Sequence, residues 1–167
     1  FPGEAAWPRN IVISYGEGCT GLDNIERSGT INITLSEPRR TTGSLRTISF
    51  ENYYFNGTKI EGTYSVENLG PNDAQNVVFG VSLSNGRITF PNDSTIERSF
   101  EREREYVGGY LTWNPWDDQC LITGDTTGKT YEGLNFSHTI MSALVWNASC
   151  RFILGGTVKF EVEGIEP

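Results

Sequence analysis

Residues 45–68 read LRTISFENYYF, then Asn56-Gly57, then TKIEGTYSVEN. Two runs rich in β-branched and aromatic residues flank an Asn-Gly pair. That pair is the strongest short-range hairpin signal, because both central residues of a two-residue hairpin turn take positive φ. The stretch therefore predicts two antiparallel strands, and the rest of the chain repeats its style. Residues 77–90 carry a second Asn-Gly, Asn85-Gly86, between VVFGVSLS and RITF, and this is read as another hairpin. Upstream, Gly29 to Leu35 alternates Ile31, Ile33 and Leu35 with Thr30, Asn32 and Thr34, the pattern of a half-buried strand. Asn10 to Tyr15 is a short β-rich run. Pro91 to Ser94 reads as a turn leading into a strand from Thr95 to Tyr110, which Gly108-Gly109 interrupts as a bulge.

Downstream, Cys120 to Thr126 and Tyr131 to Thr139 read as a hairpin around Thr127-Gly128-Lys129. Residues 140–146 fit a short helix or a strand. Cys150 to Val162 closes the chain with one or two strands. No window repeats apolar residues at helical spacing over three turns, and 19 glycines punctuate the chain. The expectation is one all-β domain over 1–167, with 1–9 a poorly ordered N-terminal extension. Nine to eleven strands in antiparallel hairpins or a meander would form a sandwich or an extended twisted sheet.

Within that pattern, Glu97 to Tyr106 reads ERSFEREREY. As a strand it sets Glu97, Ser99, Glu101, Glu103 and Glu105 on one face, and Arg98, Phe100, Arg102, Arg104 and Tyr106 on the other. As a helix the same run would allow Glu–Arg pairs at i, i+3 or i+4, but the β-like flanks favour the strand. Neither face is purely apolar, so this part of the sheet is expected to be solvated on at least one side, and its charges discourage edge-to-edge aggregation.

Composition bounds the function. A chain of 167 residues is long enough to bury a core without metal or disulfide. A net charge of −8 repels a phosphate backbone and argues against nucleic acid. No stretch approaches the ~18 apolar residues of a membrane helix. The first residue is Phe1, so a processed or truncated start is expected, with a lipid anchor upstream one option. Cys19, Cys120 and Cys150 form no Cys-x-x-Cys pair, and His138 is the one histidine, so a structural zinc site is disfavoured and no cofactor is expected. One disulfide with a spare thiol, or three small buried hydrophobes, both fit the three cysteines.

Several motifs taken together, YGEGCTG with Cys19, FENYYFNGTKIEGTYSVENLG, SFEREREYVGGY, DDQCLITG and CRFILGGTV, span about Asn10 to Val162. In order and spacing the chain resembles an uncharacterised family of secreted, β-rich lipoproteins from Bacteroidetes. The resemblance implies a periplasmic or outer-membrane-surface location and lipid attachment near the N-terminus. It implies no activity, and it assigns no functional residue and no cysteine pairing.

Catalytic constellations are thin. A Ser-His or Cys-His site would have to use His138, which has no acidic neighbour in sequence. The Gly16–Gly21 glycines lack the Lys of a P-loop. The most suggestive cluster is Tyr110, Trp113, Trp116, Asp117 and Asp118, where a Trp platform stacks on a sugar ring and carboxylates accept its hydroxyl hydrogens. The competing reading packs the Trp rings under a loop whose turn the Asp residues set. The same loop offers oxygens to Ca²⁺ but lacks the Asp-x-Asp-x-Asp spacing. Five Asn-x-Ser/Thr sequons, at Asn32, Asn56, Asn92, Asn135 and Asn147, are read as products of an Asn- and Thr-rich β composition. The leading expectation is a non-enzymatic surface domain that binds a glycan or a surface protein. The alternatives are a carbohydrate-active hydrolase using paired carboxylates and a purely structural lipoprotein.

Overall fold

A computed structural model describes residues 6–112, 114–150 and 152–165. They form one ten-stranded antiparallel sheet in the order β1-β3-β4-β5-β6-β7-β8-β9-β10, with the two-residue β2 (Cys19–Thr20) attached beside β3. The strands are β1 (Arg9–Ser14), β3 (Glu26–Leu35), β4 (Leu45–Phe55), β5 (Thr58–Pro71), β6 (Val77–Thr89), β7 (Thr95–Gly108), β8 (Gln119–Lys129), β9 (Asn135–Asn147) and β10 (Gly155–Val162). From β3 onward every strand pairs with its chain neighbours, so the chain is a meander, and the sheet is open and single. Among the described residues the one helical element is a 3₁₀ turn at Pro115–Asp117.

The register sorts the side chains. Cross-strand pairs Ile13↔Ile31↔Phe50, Ile48↔Tyr64↔Leu83↔Phe100 and Phe79↔Arg104↔Ile122↔Leu144 place one apolar face along the whole sheet. The opposite face carries Thr, Ser and Glu, including Glu101, Glu103 and Glu105 of β7. That is the face assignment expected for ERSFEREREY. The apolar face is covered in one region. Phe79, Val81, Tyr106, Tyr110 and Cys120 form the buried cluster. Arg39, from the loop between β3 and β4, lies 5.2–5.8 Å over the rings of Phe79, Tyr106 and Tyr110 and donates to the Tyr106 hydroxyl at 3.0 Å.

Asn56 (φ 49) and Gly57 (φ 74) make the expected hairpin turn between β4 and β5. Asn85-Gly86 does not make one. β6 runs unbroken from Val77 to Thr89, and the pair is a bulge that shifts the register between Leu83 and Gly86. The expected hairpin is corrected for a physical reason. β6 is flanked on both sides by long partners, so reversing there would abandon two ladders, whereas Asn85 at φ 52 bends one strand and keeps both. The β8–β9 hairpin exists, but its turn lies at Thr130–Leu134, with Gly133 at φ 83. Residues 140–146 are strand. Of the expected N-terminal extension, residues 1–5 lie outside the described residues, Trp7-Pro8 is a cis peptide, and β1 begins at Arg9. All three cysteines are free: Cys19 exposed, Cys120 buried and Cys150 partly buried.

Candidate functional site

Every pairing from β3–β4 to β9–β10 carries a register shift. Bulges bend a strand and increase its twist, and here they recur across neighbours. Two of them depend on glycine. A Cβ on Gly62 would sit 2.7 Å from Gly86 Cα, and one on Gly124 would sit 2.2 Å from the Glu101 carbonyl oxygen. Near the bent end of the sheet a single trough of about 1180 Å³ is lined by residues from β4 through β10. It lies on the polar face, which is therefore the hollow side there. Seven strands at ~4.8 Å spacing make it roughly 29 Å long.

Two rows of side chains line it. The first is hydroxylic: Ser49 pairs with Thr63, Ser99 with Thr127, and Thr127 with Ser137. The second alternates in charge across the strands: Glu61↔Arg87↔Glu97↔Lys129↔Asn135. β5, β7, β8 and β9 each supply both rows through an i, i+2 pair, as in Glu61/Thr63 and Glu97/Ser99, because alternate residues share a face. The carboxylates are engaged. Glu61 accepts from Lys59 Nζ at 2.8 Å, Glu97 lies 4.0 Å from Arg87 Nε, and Glu161 pairs with Lys159 at 2.8 Å. Glu163 accepts from Asn135 Nδ2 at 2.7 Å. The trough thus offers hydroxyls, amides and neutralised carboxylates, a surface suited to holding a polar ligand. A general acid has a desolvated carboxyl held protonated, and these paired groups stand at an open surface.

The structure separates the residues singled out from the sequence. Tyr110 is buried, its ring 5.0 Å from Tyr106 and 5.7 Å from Phe79, and burial raises its phenol above the ordinary value. Trp116 is 71% exposed. Its backbone N–H donates to the Asn114 side chain, which caps the 3₁₀ turn. The Asp117 carboxylate accepts from the Thr112 hydroxyl at 2.9 Å, and the Asp118 carbonyl accepts from the Ala148 N–H at 2.8 Å. Trp113 lies outside the described residues. Tyr110 and Trp116 therefore point to different environments, one in the core and one in solvent, and Asp117 is used inside the loop.

His138 stands on the apolar face, 4.5 Å from the Phe160 ring and 5.3 Å from Phe136. Burial first, then the Arg98 and Arg102 guanidiniums, hold its imidazole below the usual 6.5. Among the described residues no three His, Cys, Asp or Glu side chains converge to hold a metal. The trough was not singled out from the sequence. Its signals were present as glycines interrupting long strands and as charged-x-hydroxyl pairs, but its assembly depends on register. The fold and site define a single-layer, antiparallel meander with a polar trough across one face. No family model, no curated protein and no solved structure matches the chain.

Proposed function

We propose that this chain is a non-enzymatic extracytoplasmic binding module that holds an extended glycan in the trough across its polar face. The carrying observation is the paired rows of hydroxyls and alternating charges along a roughly 29 Å concavity. Sugar hydroxyls both donate and accept, and so do the Ser, Thr and Asn side chains presented there. The mixed, balanced charge suits a neutral polymer better than a polyanion. The periplasmic or cell-surface location comes from the sequence resemblance and belongs to the same proposal.

A glycan array tests it with three proteins. The unaltered chain is expected to give reproducible hits. Thr127→Trp, a bulky change at an exposed trough position, is expected to abolish them. Trp116→Ala is expected to leave them. Hits lost in Trp116→Ala but kept in Thr127→Trp would move the site to the 110–118 loop. A blank array would remove the glycan reading.

A further inference from the structure

We infer a second, separate ligand site on the opposite face: a cavity beneath the β3–β4 loop that takes a small amphiphilic carboxylate, an apolar chain or ring bearing one acid group. The cavity holds about 270 Å³, just under the usual range for small-molecule sites of ~300–1,000 Å³. Its floor is apolar, built from Leu35, Val66 and Phe79. Its polar lining is mostly cationic. Arg39, Arg46 and Arg104 all reach it, against the single carboxylate of Glu37. Among the described residues none of these three guanidiniums forms an ion pair.

Arg104 carries the argument furthest. Register sets it beside Phe79 on the apolar face, and its Nε is buried with no hydrogen-bond partner. A buried donor without an acceptor is unfavourable, and water supplies an acceptor but no countercharge. A carboxylate supplies both, and it matches the planar fork of a guanidinium with two parallel hydrogen bonds. The apolar floor then selects for a hydrophobic body over a bare anion. Arg39 is already committed to the Tyr106 hydroxyl and to three aromatic rings, so Arg104 and Arg46 are the groups left to meet the acid.

Isothermal titration with octanoate and with 3-phenylpropionate tests this, with octanol and inorganic phosphate as comparisons. At least one acid is expected to bind, octanol and phosphate to bind about ten-fold more weakly or not at all, and Arg104→Met to weaken the acid about ten-fold or more. Leu35→Trp fills the cavity from its floor without changing charge and is expected to abolish binding, so the proposal stays testable if Arg104→Met fails to fold. Thr127→Trp, on the other face, is expected to leave acid binding intact. The inference is overturned if neither acid binds, if octanol or phosphate binds as tightly, or if Leu35→Trp retains full affinity. None of those results bears on the trough.

Discussion

At the scale of single residues, short polar side chains and glycines hold the backbone where the sheet needs it. Asn92 accepts from the N–H and hydroxyl of Ser94, and Asn147 does the same with Ser149. These two sequons are therefore local turns in which the Asn side chain mimics a backbone carbonyl. Gly124 shows the cost of a wrong side chain. With φ at 114 and the Glu101 carbonyl where a Cβ would go, Gly124→Ala is expected to lose at least ~2 kcal/mol in urea unfolding. His138 gives a pH signature. Its folded imidazole binds a proton less readily than the unfolded one, so the unfolded state takes up more protons as the pH falls. Stability is full above 6.5 and declines on acidification through the window below it. His138→Phe is expected to flatten that decline when urea midpoints are compared between pH 7 and pH 5.

At the scale of elements, the charged strands are ordered by their neighbours. Arg87 stands between Glu61 and Glu97 in the cross-strand row. Arg87→Glu would set three carboxylates side by side, with an expected loss of about 1 kcal/mol. Adding Glu97→Arg restores an opposite-charge pair with position 87 but sets a like charge against Lys129, so it is expected to return little of the loss. A double-mutant cycle in urea measures the coupling between positions 87 and 97. The loop between β3 and β4 works as a lid through one residue, Arg39, over three aromatic rings. Phe79 beneath it is 3% exposed, so Phe79→Ala is expected to cost ~3–5 kcal/mol. The elements themselves were largely legible. Asn56-Gly57 named its hairpin because both residues had to turn within two positions. Asn85-Gly86 carries the same dipeptide yet makes a bulge, because partners on both sides of β6 hold it extended. Gly128 also misled: it reads as a turn, but it lies in β8 beside the Phe136 ring, where a Cβ would come within 2.6 Å of the ring.

At the scale of the molecule, a single layer leaves few places to hide. Among the described residues seven apolar side chains are buried, five of them in the one cluster on β6, β7 and β8 and the loop that follows β7. The edges are thinner. Val12 of β1 is 64% exposed and Phe160 of β10 is 57% exposed. Amide hydrogen exchange is expected to show the slowest exchange in β6 to β8 and the fastest in β1 and β10.

The sequence by itself determined the all-β class, most strand positions and the sorting of β7 into an arginine face and a glutamate face. Alternation and turn chemistry act over a few residues and can be read locally. Only the tertiary structure decided that the sheet stays a single open layer, that Tyr110 goes into the core while Trp116 goes to solvent, and that hydroxyls from separate strands meet in one trough. Those outcomes depend on register between segments tens of residues apart. A one-residue slip there sends every side chain of a strand to the opposite face.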